Sequence, residues 1–441
     1  MFDPQALLDR LAPCMDAPAW RLGLSGGMDS MVLLHALSIL RDSVELPPLS
    51  AIHVHHGLHP DADRWATQCA EACDRAGVAL RTERVTVAPG ASIENAAREA
   101  RYQAFESVIG TGEVLLLAHH RDDQVETIVF RLLRGTGLRG LTGMPAGRAL
   151  GGGRLYRPLL AWSRADLLRW AHHHALTWVD DPANGDPRFA RTALRHEVLP
   201  GMRQRWPMVD GSLIRLAEHA EQALELLDER AEEDLQRVAA RHSDQWLAGW
   251  PALCVAELLR LSGPRRVNLL RFWLDRHHCR LPDQRRLREL IEQLGARTDA
   301  QPQVLLDGYR LVRESGSLWL LPEVLPLPMA QVIEPAASVD LAGNGRLVFT
   351  AAAGGLGRGV GRWEVRYREG GESIKPAHRP HQSLKRLLQE AAIPAWLRAR
   401  VPLLYCDGRL VSVGGRWQDE AACIGADDTG WQVRWEPGVS G

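Results

Sequence analysis

The chain has 441 residues, too many for one compact core and enough for two or three domains. Its 45% apolar and 24% charged content is ordinary for a globular protein, and a formal net charge of -1 excludes a nucleic-acid role founded on overall basicity; local patches would have to carry one. The opening stretch, Met1 to Pro18, has neither a basic start nor an apolar run, no apolar stretch is long enough to span a bilayer, and the seven scattered cysteines show no framework spacing. A cytoplasmic protein with free thiols and no membrane association is therefore expected.

In chain order, short apolar runs alternate with amphipathic segments through the first half. Residues 20–24, 49–54, 78–87 and 113–118 read as strands, and 29–40, 61–76, 93–109 and 122–134 as helices. Such alternation predicts an α/β fold, a doubly wound parallel sheet with helices on both faces and ligands at the carboxyl ends of its strands. From about Ser163 the pattern turns helical, with helices over 163–175, 190–199 and 211–240, then shorter ones within 251–295. Residues 304–321 read as two strands, with turns at Asp307-Gly308 and Ser315-Gly316. Residues 322–335 hold four prolines and read as a linker or an extended edge, and 351–361 hold five glycines and read as a loop. A small mixed α+β segment closes the chain. The expected division is 1–210 for nucleotide binding and catalysis, 211–335 for a mostly helical domain and 336–441 for the C-terminal domain.

The sharpest motif is LSGGMDSMVLL, from Leu24 to Leu34, between a strand and a helix. Gly26 and Gly27 let backbone N–H groups turn inward, and Ser25 and Ser30 add hydroxyl donors. With Met28 and the helix N-terminus they form a cradle for phosphates. The Gly-Lys-Ser/Thr ending of a Walker loop is missing, and Asp29 stands inside the cradle instead. A carboxylate beside phosphates makes sense where Mg2+ bridges the two.

Three further clusters follow. HVHHGLHPDADRWA begins at His53; its histidines could suggest zinc, but the nearest cysteines, Cys69 and Cys73, are a C-x3-C inside a helix, so zinc is set aside. LLLAHHRDDQVETIVFRLLRGTGLRGLTGM places Asp123 and Glu126 at i, i+3 on one helical face. These carboxylates either satisfy the helix dipole or hold a cation. WVDDPANGDPRFARTALRHEVLPGM leads into a basic stretch where Arg188, Arg191, Arg195, His196, Arg203 and Arg205 face only Glu197 in sequence. That run is a solvated face or a phosphate track. Near the end, Pro394 reads as a helix stop and Trp396 as an aromatic anchor behind it. The chain has 51 Arg and two Lys, Lys375 and Lys385, a bias that codon usage in a GC-rich genome explains.

With SGGMDS as its signature, the chain resembles the PP-loop ATP pyrophosphatases, and over most of its length it is similar to the tRNA(Ile)-lysidine synthetases. The resemblance implies ATP cleavage between the α and β phosphates, with ATP and Mg2+ as cofactors. AMP is passed to the wobble cytidine of tRNA(Ile) with a CAU anticodon, and free L-lysine then displaces it to form lysidine. It implies ATP contacts at Ser25, Gly26, Gly27, Met28, Asp29, Ser30 and His53, with Asp29 as the metal ligand. Asp123 and Glu126 would recognise lysine, and Arg98 would reach the phosphates or the adenylated intermediate, with Arg101 the competing assignment. Asn184 and Arg195 would join Asp29, Asp123 and Arg98 in catalysis, although Thr192 stands where the family usually has Asn. Arg188, Arg191, Lys375, Lys385 and Arg386 would contact tRNA. A homodimer stays an open option. The rivals are a tRNA thiolase of the same superfamily, which typically carries a C-x-x-C pair that this chain lacks, and a tRNA-binding protein with a degenerate nucleotide site.

Overall fold

The structure, a computed structural model, describes residues 2–87, 93–180, 190–242, 244–295, 303–358 and 361–438. The chain folds into two compact units, Met1–Glu225 and Leu226–Gly441.

The first unit contains α1 (Pro4–Leu11), β1 (Trp20–Gly23), α2 (Met28–Ser43), β2 (Leu49–His55), α3 (Ala62–Ala76), β3 (Ala79–Arg84), α4 (Ile93–Val108), β4 (Val114–Leu116), α5 (Arg121–Leu133) and α6 (Leu138–Leu141). β5 (Gly147–Leu150), β6 (Gly153–Tyr156), α7 (Arg164–His173), α8 (Ala190–Ala193), a π-helical segment (Leu194–Val198) and α9 (Leu199–Arg205) follow. The 30-residue α10 (Val209–Val238) runs across the boundary between the units.

The sheet order is β3-β2-β1-β4-β6-β5. All neighbours are parallel except the β5–β6 hairpin, an antiparallel edge that the sequence reading passed over. Period-2 alternation sends β-strand residues into a core on each face. Val114 and Leu116 join Leu22, Val32 and Leu33 on one side, while Leu115 and Leu117 join Ile52, Val54 and Phe105 on the other. The chain leaves β1 toward β2 and returns across it to β4, so the switch point of the strand order lies between β1 and β4. A crevice opens there at the carboxyl edge, and the loops after β1 and β4 form its walls.

The expected helix over 190–199 is instead three segments that reach Arg205. Pro200 explains the break: it has no N–H to continue the α ladder, and the turn before it widens so that Leu199 N–H bonds to Leu194 C=O.

In the second unit, strands 252–254, 303–305, 309–314 and 317–322 form an antiparallel sheet. The stretch 304–321 therefore belongs to three strands and not two, because both turns close hairpins. Strand 317–322 separates two cores: Leu318 and Leu320 pack with Leu253, Leu269 and Trp273, whereas Trp319 and Leu321 pack with Trp250, Trp363, Leu387 and Leu403. Trp396 does anchor this second core, 4.9 Å from Trp250 and 5.4 Å from Trp319 between ring centres. Pro394 caps the start of the short helix 395–398 and does not stop one.

The first part of the glycine run read as a loop, 351–356, is instead strand. Residues 346–356 form a strand paired with the long strand 423–436. Gly354 and Gly355, at φ +72° and +81°, absorb register shifts in that pairing. Glycine tolerates the left-handed region, so a bulge fits where a loop was read. A Cβ on Gly355 would stand 2.6 Å from the Trp431 carbonyl oxygen, while one on Gly308, also at positive φ (+78°), would meet nothing within 4 Å. Gly308→Ala is expected to cost about 1 kcal/mol, the conformational part alone, and Gly355→Ala roughly 1–3 kcal/mol more. Urea denaturation of both variants checks this, and equal losses would show that the ribbon is not closed over Gly355.

Candidate active site

The loop after β1 closes on itself before it can bind anything. Ser30 Oγ, buried, donates to the Gly27 carbonyl at 2.9 Å, and Ser25 Oγ lies 3.1 Å from Ser30 Oγ and accepts from Gly27 N–H at 3.3 Å. The Ser30 proton is thus spent inside the loop, and Ser25, which is exposed, is the hydroxyl that faces outward. Gly26 sits at φ +87°, its carbonyl accepts from Val179 N–H at 2.9 Å, and a Cβ there would approach Cys69 Sγ at 3.1 Å. Met28 buries its side chain in the core, leaving its backbone at the start of α2. His53 is buried as well, with Nδ1 2.9 Å from the Leu24 carbonyl. Burial pushes its pKa down, which suits a neutral ring donating that bond and pinning β2 to the loop.

Asp29 is the loop residue turned toward the crevice. Its Oδ1 is buried and has no hydrogen-bond partner, which leaves a hard oxygen free for a cation. Among the described residues no cluster of three or more protein ligands stands ready for a metal. The donor set therefore fits Mg2+ held by one carboxylate together with phosphate oxygens.

Opposite Asp29 lies the start of α5. His120 is its N-cap: Nδ1 accepts from Asp123 N–H (3.4 Å), and Asp123 Oδ2 accepts from His120 N–H (3.0 Å), a reciprocal capping pair. His120 Nε2 then reaches Asp29 and Asp123, each at 3.6 Å, and its other nitrogen lies 3.9 Å from Asp122. Burial alone would lower its pKa, but the hydrogen bond to Asp29 and the charges of Asp123, Asp29 and Asp122 raise it overall.

Glu126, one turn further on, is 2% exposed. Arg195 grips it with Nε (2.6 Å) and Nη2 (2.8 Å), and Arg191 Nε adds a third contact at 3.2 Å. Arg203 pairs with Asp122 and Asp210, both at 3.0 Å. Arg191, Arg195 and Arg203 thus pair with carboxylates of α5 and α10 and do not face Glu197 alone, while His196 and Arg205 are exposed. Asn184 and Arg188 lie outside the described residues.

The other wall is basic, and sequence reasoning found only part of it. Arg98 and Arg148 both lie over the Tyr102 ring, at 5.1 and 5.0 Å. Arg157, almost fully buried, donates to His119 Nδ1 (3.3 Å) and to the Pro145 carbonyl (2.7 Å). Burial, then the charges of Arg157, Arg101, Arg191 and Arg98, hold the His119 pKa well below its usual value. Arg98 and Arg101 therefore share one pocket. Among the described residues no carboxylate pairs with Arg98, Arg101, Arg148 or Arg157. Arg148 and Arg157 carried no local signal, since they join the pocket through the β5–β6 hairpin.

In the second unit, Lys375 is paired with Glu420 at 2.8 Å and Arg386 with Glu390 at 2.8 Å. Lys385 is exposed and has no ion-pair partner among the described residues.

His56, at the end of β2, reports on the basic wall. Its Nδ1 is buried without a partner. Burial, then Arg101, His53 and His55, push its pKa down to about 4. In the unfolded chain His titrates near ~6.5. Between these values the unfolded state binds more protons, so stability falls as pH drops from ~6.5 toward 4. His56→Asn is expected to flatten the slope of urea midpoint against pH between roughly 5 and 6.5. An unchanged slope would mean that His56 ionises freely in the folded protein.

Comparison with known proteins places this geometry. Family models match over residues 4–202 (a PP-loop domain), 253–319 (the TilS substrate binding domain) and 363–435 (the TilS substrate C-terminal domain). The tRNA(Ile)-lysidine synthase of Pseudomonas aeruginosa is 45% identical over 98% of this chain and 96% of its own length. That of Coxiella burnetii is 38% identical over 99% and 97%. A solved U34-tRNA thiolase from Methanococcus maripaludis aligns at 16% identity with a TM-score of 0.41, over 49% of this chain and 77% of its own. No helix among the described residues is long and apolar enough to cross a membrane. With near-full-length identity above 40% and three family models in chain order, the chain belongs to the tRNA(Ile)-lysidine synthase family and is an ATP-using PP-loop enzyme.

Proposed function

We propose that this chain adenylates the C2 oxygen of the wobble cytidine in tRNA(Ile) with a CAU anticodon and then joins free L-lysine to C2. One observation carries the reading at the level of the site. His120 spans from Asp29, in the nucleotide loop, to Asp123, on α5, at 3.6 Å each, so a phosphate site and a cation site share one crevice.

In the first step the cytidine oxygen attacks the α-phosphorus and pyrophosphate leaves. Asp29 would hold Mg2+, which when bound offsets charge on the departing pyrophosphate. The cradle backbone at Ser25 to Ser30 orients the phosphates, and Arg98 with Arg101 offers guanidinium groups to the developing charge. In the second step the ε-amine of lysine attacks C2 and AMP leaves. That amine has a reference pKa of about 10.4 and arrives protonated, so a carboxylate must hold it and take its proton. Asp123 fills this role, and Glu126 shares the lysine. The tRNA backbone is bound by Arg188, Lys375, Lys385 and Arg386, whereas Arg191, expected from the sequence to join them, is held on Glu126.

A thiolase reading is disfavoured by the thiols. Burial pushes Cys69 up to about 12 and Cys73 up to about 11, values at which neither is a nucleophile.

The direct test incubates the protein with ATP, labelled lysine and an unmodified CAU-anticodon tRNA(Ile) transcript, then analyses nucleosides. Labelled lysidine is expected, with tRNA-dependent pyrophosphate release when lysine is omitted. Release without any lysine incorporation would overturn the assignment.

Asp29→Asn is expected to lower pyrophosphate release by about a hundredfold or more while leaving the urea midpoint near wild type. A near-normal rate would remove Asp29 from the site. The C-terminal contribution is best tested at the surface, because deletion from Trp363 onward would tear open the core around Trp250 and Trp319. Replacing Lys385 and Arg386 together by Ala should reduce the slope of log affinity for tRNA against log salt by about two. An unchanged slope would mean neither residue meets the tRNA backbone.

A further inference from the structure

The carboxylates assigned above to lysine already hold a cation. Glu126 Oε1 accepts from Arg195 Nε, and Oε2 accepts from Arg195 Nη2 and Arg191 Nε. Asp123 Oδ1 lies 3.3 Å from Arg195 Nη2, and its Oδ2 is taken by the His120 backbone. Both oxygens of the buried Glu126 carboxylate are therefore already engaged by guanidinium groups.

We propose that Arg195 is a latch: its guanidinium stands in for the substrate ammonium on Glu126 and Asp123, and it keeps lysine out until nucleotide phosphates draw it away. The proposal rests on the reading of Asp123 and Glu126 as the lysine site.

The two arginines are not equivalent. Arg191 Nη2 is tied to the Asp123 carbonyl (3.4 Å) and to Thr127 Oγ1 (3.3 Å), so it has anchors besides carboxylates. Among the described residues the contacts of Arg195 are all to carboxylates, and its side chain is 34% exposed. Arg191 is the fixed partner, and Arg195 the one free to exchange. Exchange is also the cheap route. Arg191 covers only Oε2 of this deeply buried carboxylate, so another cation must replace Arg195 on Oε1 and Arg195 cannot simply depart.

The direction of opening follows from charge. Arg195 also lies within the field of Asp29, on the nucleotide side of the crevice. A triphosphate brought to that side offers a guanidinium bidentate oxygens of higher charge than a carboxylate. The consequence is an order of events. Nucleotide enters first, Arg195 turns to its phosphates, and Glu126 becomes available. Lysine is thereby admitted only to a crevice that already holds nucleotide.

The test is calorimetric titration of L-lysine into the full chain, without nucleotide and with a non-hydrolysable ATP analogue plus Mg2+. Without nucleotide, Arg195→Gln is expected to bind lysine about tenfold more tightly than wild type, or better, because an internal competitor is gone. The analogue should tighten lysine binding to wild type but not further in Arg195→Gln. Glu126→Gln should weaken lysine binding about tenfold or more and cancel the gain in the double variant. If Arg195→Gln does not fold, Arg195→Lys serves. It keeps a cation but loses the fork, and a smaller tightening is expected. Lysine affinity unchanged or weakened by Arg195→Gln, with Glu126→Gln still defective, would overturn the latch and leave the lysine site standing. Lysine affinity untouched by Glu126→Gln would overturn both.

Discussion

Burying the Glu126 carboxylate is costly unless cations come to it, and that demand organises the end of the first unit. Arg191 and Arg195 arrive from 65 and 69 residues further along the chain. Bringing them in docks α8 and the π segment against α5, where Val125 and Val129 pack with Leu194 and Leu199. The apolar contact and the ion pairs support each other. Neither would hold a short, interrupted helix in place alone. From Glu126 the polar contacts continue through Asp123 and His120 to Asp29, so the placement of the nucleotide loop relative to α5 is part of the same network.

The crevice is divided by charge. Asp29, Asp122 and Asp123 gather about His120, with Glu126 one turn on, and Arg98, Arg101, Arg148 and Arg157 gather about Tyr102 and His119. His119 and His120 mark the border: adjacent in sequence, they are pushed in opposite directions, His119 down by burial among arginines and His120 up by its carboxylates. Such a site can hold anionic phosphates and a cationic amine side by side without letting them neutralise each other. For a reaction that joins an activated nucleotide to an ammonium-bearing substrate, that separation matters as much as any single contact.

Much of this was legible in the sequence because the signals were local. SGGMDS between a strand and a helix needs only its own residues to close, and the strand-helix alternation fixed which loops meet at the carboxyl edge. Asp123 and Glu126 were readable as one helical face. What they face was not, since Arg191 and Arg195 are brought in by tertiary packing. Arg157 and Arg148 were missed for the same reason: a four-residue hairpin strand gives little pattern, and its partner is β4, far away in the chain. The glycine run from 351 misled because composition cannot distinguish a bulged strand from a loop. Pairing with 423–436 decides it. Ser30 shows the finer limit, as its hydroxyl belongs to the motif but is spent on the Gly27 carbonyl.

The π segment ahead of Pro200 constrains how such chains can vary in length. Helical residues step by about 100° around the axis. A regular helix that loses one residue turns everything after it by about that angle, whereas the wider turn at Leu194–Val198 takes in one residue more than an α turn without that rotation. A residue lost from the α-helical part between Arg191 and Arg203 would leave Arg191 on Glu126 and swing Arg203 away from Asp122 and Asp210. Between Arg191 and Arg203, spacing along the chain is therefore as much a part of the site as the identity of its arginines.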